Sequence, residues 1–209
     1  MSDELKQTPF SSSYPDGVVE WIDIFGYAVP LTWGDPNVEC AAVRNQAATF
    51  EFSMLLKWDV EGAGAIQTVN NIFSRDISEM KPGTIAYGVV VSEAGKMVDD
   101  CTVFVYGPEL VRIIGANPIV GDLLDRYRTN NVTVSERRDE LAQLSVQGPL
   151  SREILQKLTS SDISNDALRW YHFITDVDMA GMKVQISRIG YTGELGYEIM
   201  LPVDSAQAF

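Results

Sequence analysis

Between Lys57 and Val134 the local signals follow one order: strand, helix, three strands, helix, strand. Residues 57–61 alternate apolar and polar side chains, the period of a half-buried strand. Residues 63–73 place Ile66, Val69, Asn70 and Phe73 on one helical stripe, and Lys81-Pro82-Gly83 then marks a turn. Three β-rich runs at 85–91, 97–105 and 110–114 are separated by Glu93-Ala94-Gly95 and Gly107-Pro108, a pattern that predicts an antiparallel meander. Asn117-Pro118 opens a second helix to about Thr129, with Ile119, Leu123, Leu124 and Tyr127 apolar, and residues 132–134 close the unit as a strand. Helices on one face of a mostly antiparallel sheet define the α+β class. The same order disfavours a dinucleotide site at Gly62-Ala63-Gly64-Ala65-Ile66-Gln67. That run follows a strand and opens a helix, but Gln67 stands where the fingerprint needs Gly or Ala, and the next strands are not parallel. A small-residue turn is the better reading.

The flanks are more varied. Residues 1–18 read as a polar leader, and 21–33 alternate apolar and small residues around Gly26 and Pro30. Asp35-Pro36-Asn37 starts a helix through 39–48. Residues 141–146 form a strand, Gln147-Gly148-Pro149 turns into a helix through Leu158, and 159–166 are a polar linker. Strands follow at 171–177, 182–189 and 197–201. Residues 204–209 look like the first turn of an amphipathic helix, so the chain reads as a fragment.

Charge and residue counts narrow the chemistry. With 29 acidic and 16 basic residues the net charge is -13, against the basic footprint nucleic-acid binding needs. No apolar run approaches the roughly 20 residues of a membrane span, and Met1 to Lys6 lack the pattern of a secretory signal. Without that signal, Asn131-Val132-Thr133 is a chance sequon. Cys40 and Cys101 are the only cysteines and read as cytosolic thiols, which places the protein in the cytoplasm. His172 is the only histidine, so a multi-His metal site is excluded and no metal is expected.

Two motifs carry chemistry. In Ser187-Arg188-Ile189-Gly190-Tyr191-Thr192-Gly193-Glu194-Leu195-Gly196-Tyr197-Glu198, three glycines recur at intervals of three residues between strand-like flanks. Glycine belongs where the backbone takes a positive φ or passes close to another group, and such a turn can cradle a flat polar ligand or simply join two strands. Asp99-Asp100 lies inside a β-run, so one carboxylate points to each face of the sheet. A buried carboxylate is costly unless it is paired. Trp170-Tyr171-His172-Phe173 enters a strand. Alternation puts Tyr171 and Phe173 on one face, and His172 reads as a structural histidine rather than a base.

Taken in order, Thr8-Pro9-Phe10, Phe25-Gly26-Tyr27, Pro30-Leu31, Ala42-Val43-Arg44, Phe50-Glu51-Phe52-Ser53, Tyr87, Asp99-Asp100, Gln147-Gly148-Pro149 and the glycine block cover nearly the whole chain. This set resembles the glycine-cleavage T-protein family, the folate-dependent aminomethyltransferases. The resemblance implies a ring-like α+β assembly of ferredoxin-like, folate-binding units, followed by a β-barrel that this chain ends before. It also implies a division into a first folate-binding unit, 1–54 with 136–209, discontinuous and incomplete at its C-terminus, and a second α+β unit, 55–135. Asp100 matches the catalytic acid, which orients or deprotonates the attacking nitrogen of tetrahydrofolate. Glu198 matches the glutamate that holds the amine and amide edge of the pterin, and Tyr87, Tyr171 and Tyr191 match contacts around the folate. The implied partners are a small-molecule one-carbon donor or a lipoyl carrier protein.

The departures from the family matter. Met54-Leu55 stands where the family has His-Met, Ile114-Gly115-Ala116 replaces Val-Asn-Ala, and Ser187-Arg188-Ile189 replaces Ser-Arg-Thr. Three readings follow: an aminomethyltransferase-like enzyme, a folate-dependent demethylase of a small methylated amine, sulfonium or methoxy compound, or a non-catalytic folate-binding protein. The last is disfavoured by the retained Asp100 and by the lack of a Lys-Gly-Cys-Tyr-like signature, and a structural domain that lost its site is disfavoured by Asp100 and Glu198.

Overall fold

The computed structural model describes residues 5–209. The first four residues, within the stretch read as a polar leader, lie outside the described residues. The chain begins with β1 (Lys6–Gln7), β2 (Glu20–Ile24), β3 (Tyr27–Thr32), α1 (Pro36–Asn45) and β4 (Ala48–Glu51). It continues through β5 (Leu56–Glu61), α2 (Ala65–Asn70), β6 (Thr84–Val91), β7 (Met97–Gly107), β8 (Leu110–Gly115), α3 (Ile119–Tyr127) and β9 (Thr133–Glu136). Then come β10 (Leu141–Gln147), α4 (Ser151–Gln156), β11 (Phe173–Met179), β12 (Met182–Ser187) and β13 (Gly196–Pro202). The predicted α+β class is what the structure shows. It divides into two compact units. A middle unit holds Leu55–Arg138 with Tyr171–Phe173, and a terminal unit holds the described residues to Met54, Asp139–Trp170 and Ile174–Phe209.

In the middle unit the sheet order is β6-β7-β8-β5-β9, with each neighbouring pair antiparallel. Period-two alternation sends Trp58, Val60, Val103, Val105, Val111 and Ile113 to one face, where they pack with Ala65 and Val69 of α2 and Val120, Leu123 and Leu124 of α3. Each Val, Leu or Ile among them, fully buried, contributes about 1.5–3 kcal/mol. Helix α2 is shorter than its apolar stripe predicts. Asn70 Oδ1 accepts the Ile77 N–H at 3.0 Å, and Phe73 forms a β-bridge with Val90, so the chain has left the helix while Ile72 and Phe73 still fill the core.

The terminal unit contains a sheet of order β11-β12-β13-β10-β4 and a smaller one, β1-β3-β2. Ala142, Val146, Val184, Ile186, Tyr197, Ile199 and Leu201 form its core with Leu155 of α4. The Asp35 carboxylate accepts the Asn37 N–H at 2.9 Å and Pro36 takes the first position of α1, the expected start signals. The helix ends before 48 because Ala48 pairs with Gln147 as β4 begins.

Three expectations are corrected. Residues 5–18 are no loose leader: Lys6–Gln7 pairs in parallel with Tyr27 and Ala28, Phe10 is buried in the terminal core, and the Tyr14 hydroxyl donates to Glu51. Tyr171 and Phe173 do not alternate as strand neighbours. Tyr171 takes φ 57°, and residues 171–173 join the middle unit through Ile85 N–H to Tyr171 O at 2.8 Å and Phe173 N–H to Gly83 O at 2.9 Å. The C-terminal residues form a single 3-10 turn, Val203–Ser205, rather than the first turn of an α-helix.

Candidate functional site

On β6 and β7 the register opposes Val89 to Asp100 and Tyr87 to Thr102, so Tyr87 and Asp100 are diagonal neighbours on one face. The Tyr87 hydroxyl donates to Asp100 Oδ2 at 2.9 Å, and both residues are exposed. That hydrogen bond, and next the carboxylate's charge, hold the Tyr87 phenol above its ordinary value, with Tyr171 adding a smaller push. The structure thus brings together Tyr87, Asp100 and Tyr171 in the middle unit.

Asp99 has the opposite surroundings. Its Oδ2 accepts the N–H groups of Ala116 at 2.7 Å and Asn117 at 2.9 Å, and Cys101 Sγ lies at 3.7 Å. A Cβ at Gly115 would sit 2.4 Å from that oxygen, so any larger residue there would displace the carboxylate. Burial, then the charge of Asp99, pushes the Cys101 thiol far up, so Cys101 is no nucleophile at neutral pH. Of the Asp pair, Asp99 fastens the β8–α3 junction and Asp100 stays open to solvent.

Further along the same face Asp59 is buried in an ion cluster. Arg112 grips it with two bonds, Nε to Oδ1 at 2.6 Å and Nη2 to Oδ2 at 2.8 Å, and Arg137 Nη1 reaches Oδ2 at 3.0 Å. The Arg112 guanidinium also lies over the Tyr106 ring, 5.3 Å from its centroid.

In the terminal unit, Glu198 on β13 stands directly opposite Ser145 of β10 and Ser187 of β12. Gln143, one diagonal step away, donates from Nε2 to Glu198 Oε2 at 2.8 Å. Its own Oε1 is buried without a hydrogen-bond partner among the described residues. Tyr191 sits 69% exposed, its ring edge-on to Phe50 at 5.9 Å and to Phe52 at 5.4 Å.

The three glycines of the 187–198 block have distinct reasons. A Cβ at Gly190 would fall 2.0 Å from Gln147 Oε1, and one at Gly196 would fall 2.1 Å from the same atom. Gly193 takes φ 82°, the left-handed turn between them. The fully buried Gln147 fills the gap: Nε2 donates to Ser145 Oγ at 2.8 Å and to Ile189 O at 3.2 Å, while Oε1 accepts the Thr192 hydroxyl at 2.9 Å. From the solvent side Arg44 holds the loop, donating to Thr192 O at 2.7 Å and to Glu194 Oε1 at 2.9 Å. The block is a stapled loop that fixes where Tyr191 stands and where β13 begins.

Sequence patterning does not single out Gln143, the neighbour of Glu198, and it reads Gln147 as the start of a turn. The signal lay in Ala142-Gln143-Leu144-Ser145-Val146-Gln147, where every second residue is an amide or hydroxyl. Such a pattern on a central strand marks a polar face, and burial of Gln143, Ser145 and Gln147 shows that this face is not bathed in solvent. Among the described residues no group of three or more His, Cys, Asp or Glu could hold a metal ion, and no helix is long and apolar enough to cross a membrane.

An α+β protein results, with two antiparallel sheets whose polar faces carry carboxylates held by a phenol in one unit and by an amide in the other. A family model for the GCVT N-terminal domain matches residues 16–209, and the chain belongs to that family. It is 34% identical over 203 residues to a protein of Lysinibacillus sphaericus (strain C3-41) named Aminomethyltransferase, covering 95% of this chain and 55% of that one. A protein of the same name from Bacillus subtilis (strain 168) is 33% identical over 205 residues, covering 97% and 56%. The chain therefore spans about half the length of these relatives. Among solved structures, the glycine cleavage system aminomethyltransferase T from Bartonella henselae superposes with a TM-score of 0.82 at 24% identity, covering 98% of this chain and 55% of that one. The heterotetrameric sarcosine oxidase from Corynebacterium sp. U-96, in complex with pyrrole 2-carboxylate, gives 0.57 at 16% identity, covering 81% and 85%. At these identities the structural likeness concerns the fold alone.

Proposed function

We propose that this chain carries the tetrahydrofolate-handling part of a one-carbon transferase of the aminomethyltransferase type. The observation that carries the reading is the division of labour in Asp99-Asp100: one carboxylate is fastened to backbone N–H groups and the other is left exposed beside the Tyr87 hydroxyl. A catalytic carboxylate has to reach its substrate, and the resemblance assigns that role to Asp100.

The residues of the terminal unit fit the cofactor. The amine and amide edge of a pterin is a row of N–H donors. The Glu198 carboxylate can accept two parallel N–H bonds, and Gln143 Oε1 is a buried acceptor with no donor among the described residues. Tetrahydrofolate, when bound, supplies the nitrogen that takes up the one-carbon unit. Asp100 orients that nitrogen or accepts its proton and stabilises the positive charge that develops there, and Tyr87 steadies the carboxylate. Tyr171 and Tyr191 supply contacts around the folate.

For the donor, a second reading is favoured by Gly115. No side chain fits there beside Asp99, so the amide that the T-protein family carries at this position has no counterpart. A small methylated amine, sulfonium or methoxy compound is then a donor to set against an aminomethyl group on a lipoyl carrier protein. The test of the whole reading is tetrahydrofolate binding followed by tryptophan fluorescence. Glu198→Ala is expected to weaken it by about 1 kcal/mol or more, because a donor on the ligand loses its acceptor. Unchanged affinity would remove Glu198 from the site. Turnover in a panel of both donor types then separates the two donor readings, and a chain that binds folate but turns over neither is a binding protein.

A further inference from the structure

One end of the Gln143 amide is engaged and the other is not. Its Nε2 donates to Glu198 Oε2 at 2.8 Å, and only the NH2 end of an amide can face a carboxylate. Oε1 is thereby restricted to accepting. Gln143 is 2% exposed, yet Oε1 has no hydrogen-bond partner among the described residues. Buried carbonyls left unpaired are uncommon and destabilising. The register puts Gln143 and Glu198 on the same face of β10 and β13, one diagonal step apart.

A carboxylate beside a carbonyl presents acceptors alone. The ligand edge that complements them is made of N–H donors alone. We propose that Gln143 is a second ligand-contact residue, whose Oε1 accepts one hydrogen of an exocyclic amino group while Glu198 takes the other hydrogen and the neighbouring ring N–H. The ligand class is a 2-amino-4-oxo-pyrimidine ring, and this assignment rests on the tetrahydrofolate reading of Glu198 given above. An oxo group in place of the amino group would set a third acceptor against the first two, and a methyl group would leave Gln143 Oε1 without a donor and Glu198 with the ring N–H alone from the ligand. Gln143 thereby selects amino heterocycles over their oxo and methyl counterparts.

The test uses the whole chain and two ligands, tetrahydrofolate and its analogue with a 2-methyl group replacing the 2-amino group. Affinities are read by tryptophan fluorescence, and thermal unfolding without ligand checks that each variant folds. Gln143→Met removes both halves of the amide. Gln143→Lys keeps a donor for Glu198 and removes the acceptor. Both variants are expected to bind tetrahydrofolate about tenfold more weakly or worse, with a smaller preference for the amino ligand than wild type shows. If Gln143→Lys binds as wild type does, the proposal is overturned and Gln143 only orients Glu198. Should a Gln143 variant not fold, Glu198→Ala decides with both ligands. The amino group is expected still to favour binding several-fold there, and no preference would overturn the proposal. Wild type that binds neither ligand, with Glu198→Ala indistinguishable from it, would instead defeat the folate reading, and the proposal with it.

Discussion

On the middle sheet, the face turned away from α2 and α3 carries Lys57, Asp59, Asp100 and Arg112. The matching face of the terminal sheet carries Gln143, Ser145, Gln147, Gln185 and Ser187, with Glu198 at its centre. Most of these residues are buried in both units. Charge in the middle unit is matched by charge, as in the Asp59–Arg112–Arg137 cluster, and Asp100 is the carboxylate of that face held instead by a phenol at the surface. In the terminal unit, neutral amides and hydroxyls surround one carboxylate, and of these Gln143 donates to it and Gln147 to the loop beside it. A buried ion demands a partner of opposite sign before it can do anything else, whereas an amide has a donor and an acceptor and can engage one while offering the other. The first arrangement suits a rigid base for chemistry at an exposed acid. The second suits recognition of a polar ring edge.

The sharpest way to break this comparison is Asp59→Ala. It leaves the Arg112 guanidinium buried without its carboxylate, and a stability loss of about 3–5 kcal/mol is expected by calorimetry. A loss under 1 kcal/mol would show that the cluster is not what holds the charged face together. Asp100→Asn comes next. Transfer should fall by about a hundredfold or more with unchanged unfolding temperature, whereas Asp99→Asn should lower stability by roughly 1.5–3 kcal/mol through its weakened bonds to Ala116 and Asn117. Reversal of those two phenotypes would interchange the roles of the pair.

Gly190→Ala tests the neutral face. A methyl group 2.0 Å from the Gln147 amide has to displace it, so a loss of about 1–3 kcal/mol is expected, and Tyr191 should move with the loop. An alanine tolerated without cost would show that Gln147 is not a staple. The smallest effect concerns Tyr87. Its phenol is held above 10.0 by the hydrogen bond from its hydroxyl to Asp100. A raised folded value means the contact is fully present below the unfolded pKa and is lost as pH rises through the folded one. Asp100→Asn should bring the Tyr87 titration back down, followed by NMR of labelled tyrosine. No change would mean that the pair does not persist in solution.

Much of the fold was legible because period-two patterning survives wherever a strand has one apolar face, as in Lys57 to Glu61 and Leu110 to Ile114. Legibility failed where long-range partners decide the outcome. The segment at Lys6–Gln7 is a strand only because β3 runs beside it, and Tyr171 leaves the strand path because its carbonyl accepts a bond from Ile85 of a distant hairpin. The glycine block announced close packing, but the residue packed against it, Gln147, stands on β10, far from the block in sequence, and only the tertiary structure identifies it.

The sequence alone determined the α+β class, the order of elements from β5 to β9 and the opposite facing of Asp99 and Asp100, since these follow from local periodicity and the geometry of a strand. Tertiary structure alone decided which of the two aspartates is tied down, that Gln143 stands beside Glu198 with an acceptor to offer, and that Gln147 supports the loop of Tyr191. Those facts depend on register between strands far apart in the chain, and register is set by the packing of both sheet faces together, which no single strand encodes.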